Sequence, residues 1–219
     1  MSAVKPLVAI VDYGAGNLRS CAKGFERMAA EEGLDPRRIV VTDQAEVVAQ
    51  AERIVLPGDG AFADCKRSIA ALPGLLDVLD EQVVKGGKPF FGICIGMQLL
   101  ADEGLEHGHH AGFGWISGVV DRLQPSDPAL KIPHMGWNNL DVHHHHPVLG
   151  HARSGVHAYF VHSYALEVAR EHDLVATADY GGPVTAIVAR DNIFGTQFHP
   201  EKSQAFGLSL LAGFLRWRP

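Results

Sequence analysis

Apolar residues in this chain come in short continuous runs, each closed by a glycine-bearing polar loop and followed by a stretch with helical spacing. Runs that are apolar at every position belong to strands buried on both faces, as in a parallel sheet. Pro6-Leu7-Val8-Ala9-Ile10-Val11 is the first such strand, and Leu18 to Ala30, stopped by Gly33, is the helix that returns from it. Ile39-Val40-Val41 predicts a second strand, Gln44 to Gln50 a short helix, and Arg53-Ile54-Val55-Leu56 a third strand. Helical pattern then covers Phe62 to Ala70 and Gly74 to Val84, where Gly86-Gly87 stops it. Strand alternating with helix across short glycine turns predicts a doubly wound parallel sheet.

The pattern changes after Leu100. Glu103 to Gly114 is rich in glycine and histidine, Val119 to Leu123 predicts a strand, and Ile132 to Asn138 reads as a connecting stretch. Ala158 to Tyr164 predicts a strand with aromatic residues at alternating positions. Leu174 to Ala178 and Val184 to Ala189 predict two antiparallel strands around a turn at Tyr180-Gly181-Gly182-Pro183, and Phe206 to Trp217 a closing helix. The expected fold is therefore α/β, with a doubly wound, mostly parallel central sheet flanked by helices and an antiparallel or mixed extension.

Composition narrows the classes of function. A chain of 219 residues, 47% hydrophobic and 20% charged, can bury one full core, so residues 1–219 are expected to form a single domain. Nineteen Lys and Arg against 25 Asp and Glu give a net charge of -6, which leaves no electrostatic footprint for nucleic acid or an anionic membrane. Met1 to Pro6 carries no apolar leader, and no run approaches the length of a membrane span. A cytoplasmic protein is expected. Cys21, Cys65 and Cys94 are odd in number and lack CxxC or zinc spacing, which favours reduced thiols over a disulfide framework.

Candidate chemistry centres on Phe90-Phe91-Gly92-Ile93-Cys94-Ile95-Gly96-Met97-Gln98-Leu99-Leu100. This reads as a nucleophile elbow: a strand ends near Phe91 or Gly92, a helix starts after Cys94, and the two glycines admit the sharp turn and close packing. Positive potential at a helix N-terminus would favour the thiolate at the tip. The bland alternative is a small buried hydrophobe. Near the other end, His199 and Glu201 are two apart, so an extended backbone would aim both to one side, with Pro200 stiffening the link. Cys94, His199 and Glu201 thus match a nucleophile, a general base and the carboxylate that orients the base.

Two glycine loops, Asp12 to Asn17 and Pro57 to Phe62, follow strands at the sheet edge where open α/β folds bind ligands, and the second can turn N–H groups toward an oxyanion. An ordinary turn would look much the same. His143-His144-His145-His146 invites a metal reading, but neighbours in a chain project in different directions, and the run reads as a solvated loop before Pro147. No metal site is expected.

Gly92-Ile93-Cys94-Ile95-Gly96-Met97-Gln98, followed by Phe198-His199-Pro200-Glu201, resembles the class I, or triad, glutamine amidotransferases. Further stretches, Asp12 to Leu18, Leu56 to Phe62, Pro133 to Asn138, Tyr159 to Tyr164 and His199 to Ser203, are similar to the glutaminase subunits of imidazole glycerol phosphate synthases. The resemblance implies hydrolysis of L-glutamine by Cys94, His199 and Glu201, without a cofactor. It implies an oxyanion hole from Gly58, Asp59 and Ile95, and glutamine binding by Gly60, Gln98, Glu106 and the Ser163-Tyr164 backbone. Ammonia would pass to a (βα)8-barrel cyclase in a 1:1 heterodimer of histidine biosynthesis, with Asn17, Trp137, Asn138, Tyr159 and Lys202 at the interface. Core packing is the alternative for Trp137 and Tyr159. Asp59 departs from the family pattern, which more often has an apolar residue there, commonly valine. Alternatives are a glutaminase serving an anthranilate or pyridoxal phosphate synthase, or a silent regulatory module on the same fold.

Overall fold

The computed structural model describes residues 5–219, so Met1 to Val4 of the leader reading lie outside the described residues. In chain order the first strands are β1 (Val8–Val11), β2 (Ile39–Thr42), β3 (Arg53–Gly58), β4 (Phe90–Cys94), β5 (Glu103–Gly104), β6 (His110–Ala111) and β7 (Gly118–Arg122). They are followed by β8 (His134–Asn139), β9 (Asp141–Val142), β10 (His157–His162), β11 (Tyr164–Val168), β12 (Leu174–Asp179), β13 (Pro183–Arg190) and β14 (Ile193–Thr196). The helices are α1 (Leu18–Glu31), α2 (Ala45–Gln50), α3 (Phe62–Ala71), α4 (Leu75–Leu79), α5 (Ile95–Gln98) and α6 (Gln204–Arg216).

The central sheet runs β2-β1-β3-β4-β14-β13-β12-β9. Its first five strands are parallel and the rest antiparallel, as the alternation of strands with helices in the first half and the hairpin signal in the second predict. Every residue of β1, β3, β4 and β14 is buried, which is why these runs lack polar alternation. The two smaller sheets, β10-β8 and β11-β7-β5-β6, form the extension.

Three expectations change. Ile132 to Asn138 is not a mere connection: it enters β8, whose outward positions carry Met135 and Trp137, so its apolar side faces solvent and the pattern hides the strand. The strand expected over Ala158 to Tyr164 breaks at Ser163, where β10 leaves its partner β8 and β11 joins β7 in another sheet. The helix expected from Gly74 to Val84 begins as α4 and passes into a π-helical turn, Asp80–Lys85.

An aromatic seam ties α1 and α6 to the sheet. Phe25 meets Phe214 edge-on at 6.1 Å, and Phe91 meets Phe194 at 5.1 Å. Arg53, although charged, is buried beneath α6, where Nε donates to the Phe214 carbonyl and a terminal nitrogen to the Trp217 carbonyl, both at 3.1 Å. This satisfies carbonyls left open at the helix C-terminus. The four-histidine loop sends its side chains to separate partners. His143 Nε2 lies 3.0 Å from Thr177 Oγ1, and His145 Nε2 lies 3.0 Å from the Gly150 carbonyl. His146 stacks on Phe194 and accepts from the Val148 N–H, so it is a packing residue; burial, reinforced by His144 and His145, pushes its pKa down to about 4.

Candidate active site

Three neighbouring parallel strands deliver the chemistry to one edge. In the β3–β4 register Gly58 lies beside Cys94, and in the β4–β14 register Thr196 lies beside Ile93, which puts His199 three residues beyond the same edge. Cys94 ends β4 with φ 55° and ψ -110°, a left-handed turn that side chains rarely adopt, and the next residue opens α5. The surrounding glycines are obligatory. A Cβ on Gly92 would strike the Gly96 carbonyl, and one on Gly96 would strike the Leu56 carbonyl. Helix α5 has only four residues, so the positive end near Cys94 is a cluster of local N–H groups rather than a long helix dipole.

His199 and Glu201 do not meet through extended backbone as expected. Pro200–Lys202 forms a 3-10 turn, and within it His199 Nδ1 lies 2.9 Å from Glu201 Oε1, with both side chains buried. The His199 N–H donates to the Tyr159 carbonyl at 3.1 Å, and the Ser203 hydroxyl donates to the His199 carbonyl at 2.7 Å while accepting from the Tyr159 N–H. These bonds strap the turn to β10. Burial opposes a charge on His199, but the neighbouring Cys94 and the hydrogen-bonded Glu201 outweigh it and raise its pKa to about 10. These neighbours favour the protonated imidazole.

Cys94 and His199 open into a cavity of about 380 Å3. Asp59, Gly60, Ile95, Gln98, Glu106, Ser163, Tyr164 and Lys202 also line it. Gly58, buried at the end of β3, is not among the lining residues. Glu106 has a structural partner too: Oε2 accepts from the Phe62 N–H at 2.8 Å and so caps α3, whose own N-cap residue, Ala61, supplies no side-chain bond. The Asp59 carboxylate turns to the Gly16 N–H, 2.8 Å away.

The remaining candidates lie at the surface. Trp137 is 47% exposed and Met135 62%, two positions along the same strand, and the Trp137 ring meets Tyr159 edge-on across β8–β10 at 5.9 Å. Core packing is thus ruled out for Trp137, while Tyr159 is half-buried. Lys202 is exposed at the cavity rim, and Asn17 caps α1 by accepting from the Ser20 N–H.

Sequence reasoning missed Gln197, His162 and His134. Gln197 Nε2 lies 3.7 Å from Cys94 Sγ, and its Oε1 accepts from Gln98 Nε2, which also donates to the Tyr164 carbonyl. A glutamine buried in an otherwise apolar strand end was the available signal, because burial demands partners for both ends of its amide.

Comparison with known proteins agrees with this arrangement. Residues 9–216 match the family model described as "Glutamine amidotransferase class-I". The chain is 57% identical to the imidazole glycerol phosphate synthase subunit HisH of Rhizobium meliloti (strain 1021), over 97% of this chain and 99% of that one. It is 55% identical to the protein of the same name from Cereibacter sphaeroides, over 97% and 100%. Among solved structures, a glutamine amidotransferase superposes with a TM-score of 0.68 at 18% identity, covering 94% of this chain and 99% of that one. A second, from Thermotoga maritima, gives 0.62 at 16% identity, covering 90% and 77%. With the family model spanning almost the whole sequence and full-length relatives above half identity, the chain belongs to the class-I glutamine amidotransferases.

Proposed function

We propose that the chain is the glutaminase subunit of an imidazole glycerol phosphate synthase, acting as one domain over residues 1–219. The observation that carries the chemistry is that Cys94 and His199 line one cavity while Glu201 Oε1 lies 2.9 Å from His199 Nδ1. The near full-length likeness to HisH subunits supports the choice of synthase.

The Cys94 thiolate attacks the side-chain amide carbon of glutamine, and the oxyanion is met by N–H groups of Ile95 and the Gly58-Asp59 loop, each worth about 3 kcal/mol in comparable sites. His199, oriented by Glu201, gives its proton to the departing nitrogen. Ammonia leaves and a γ-glutamyl thioester remains. His199 then takes a proton from water, the hydroxide adds to the thioester carbon, and collapse releases glutamate and restores the thiolate. Gly60, Gln98, Glu106 and the Ser163-Tyr164 backbone hold the substrate.

Ammonia passes to a (βα)8-barrel cyclase docked 1:1 on the face carrying Trp137, Asn138, Tyr159, Lys202 and Asn17. The exposure of Met135 and Trp137 together supports docking there, since paired large apolar side chains on a surface strand favour a partner. The loop from Pro57 to Gly60 becomes competent when the cyclase has bound its nucleotide. Residence in the cytoplasm fits three free cysteines, and no described helix is long and apolar enough to cross a membrane.

The test is nitrogen-donor choice in the reconstituted synthase. Cys94→Ser should abolish product formation from glutamine and preserve it from ammonium ion. Glutamine hydrolysis that survives the substitution would refute the mechanism.

A further inference from the structure

His162 ends β10, is buried, and forms part of the cavity wall. Its hydrogen bonds leave one arrangement of protons. Nδ1 lies 2.9 Å from the Tyr164 carbonyl, which can only accept, so Nδ1 carries the proton. The lone pair of the neutral ring is then at Nε2, 3.0 Å from His134 Nδ1, which must donate. His134 in turn presents a lone pair at Nε2 to the Asn138 amide, 3.2 Å away, and the same amide donates to the Asp179 carbonyl at 2.8 Å. Donors and acceptors match along the whole line, from Asn138 through His134 and His162 to Tyr164.

Packing keeps the line in place. The His134 ring lies between Phe160 and Tyr180, with centroids 4.6 and 4.1 Å away. Burial holds both imidazoles neutral, lowering each pKa to about 4; at His162 the neighbouring His134 and His199 act in the same direction, against the Tyr164 carbonyl. A neutral ring is what the line requires, because a protonated His162 would turn a donor against His134.

The line also ends at a point of consequence. The His162 ring reaches two residues ahead, across the break at Ser163 where the chain leaves the β8–β10 pair for another sheet. The Tyr164 carbonyl that it grips also accepts from Gln98, four residues past the nucleophile. The other end is Asn138, on the strand whose outer side bears Met135 and Trp137.

We propose that His162 and His134 are positioning residues of the glutaminase: they fix the Ser163-Tyr164 backbone that binds glutamine and join it to Asn138 on the docking strand. The inference rests on the glutaminase reading above.

Two measurements test it. In wild-type protein labelled with 15N at histidine, long-range 15N–1H correlation should find both rings neutral at neutral pH with the proton on Nδ1. An Nε2–H or doubly protonated His162 would overturn the proposal without reference to any variant. In the synthase complex, His162→Phe should raise the KM for glutamine by about tenfold with kcat within about twofold, the mark of lost ground-state positioning. His162→Asn, whose amide can donate from near the Nδ1 position, should recover most of that loss, and synthesis from ammonium ion should be unchanged in both. An unmoved KM, or His162→Asn no better than His162→Phe, would also overturn it. Absence of glutamine hydrolysis in the wild-type complex would instead strike the glutaminase reading, while the proton positions would still report on the line itself.

Discussion

The carboxylate of Asp59 accepts a hydrogen bond from the backbone N–H of Gly16 at 2.8 Å, joining the loop after β3 to the loop after β1. The two loops are already close, since a Cβ on Gly16 would come within 3.3 Å of Gly58. The Asp59 carbonyl is held from the other side by the Cys65 thiol at 3.2 Å. A side chain that departs from the usual apolar residue therefore restrains the segment assigned to the oxyanion.

If that restraint holds the loop short of competence in the free chain, Asp59→Val should release it. Glutamate formation by the isolated subunit is expected to rise about threefold to tenfold, the worth of one hydrogen bond, with little change in the activated complex. An isolated variant no faster than wild type would show that the tie does not limit the loop.

The pH dependence of stability should carry the signature of His199. Its pKa, raised to about 10 by Cys94 and Glu201 against the cost of burial, stands above the unfolded value of roughly 6.5. A raised pKa adds stability in full below about 6.5 and loses it as pH climbs through 10. Glu201→Gln removes one source of the rise, so its deficit in urea unfolding should be largest near pH 6 and shrink toward pH 10. A deficit independent of pH would contradict the assignment of charge.

Backbone approach at the elbow predicts a sharp contrast in tolerance. Gly96→Ala puts a methyl into the Leu56 carbonyl, with backbone on both sides and no flexible side chain to yield. The expected cost is about 3 kcal/mol or more, seen as a lower denaturant midpoint. A midpoint within error of wild type would mean that the close β3–α5 packing is not present in solution.

Trp137→Ala should separate docking from folding. The ring is 47% exposed, so thermal stability of the free chain should barely move, whereas affinity for the cyclase should fall by about 2 kcal/mol, as for a central interface aromatic. Equal affinity of the two proteins would move the interface elsewhere.

Cys94 was legible in the sequence because glycines at 92 and 96 have one physical use there, to let backbone pass backbone. The parallel strands were legible because burial on both faces removes polar positions. His199 and Glu201 were legible as a pair but not in geometry: a proline turn, rather than extended backbone, brings them together. Strand β8 was hidden because its exposed side is the apolar one, which reads as irregularity. His134 and His162 lie 28 residues apart and meet only through the β8–β10 pairing. No local pattern encodes such a contact, and the more conspicuous histidines, 143 to 146, belong to a loop in which His143, His145 and His146 each turn to a different partner.

A Cys94 glutaminase gated by a cyclase partner is tested most directly by glutamate release from glutamine by the purified chain, alone and with the cyclase subunit and its ribonucleotide substrate. Strong stimulation only in the full mixture, lost in Cys94→Ser, is the predicted result. Activity of the free chain equal to that of the complex, or insensitive to the cyclase, would contradict it.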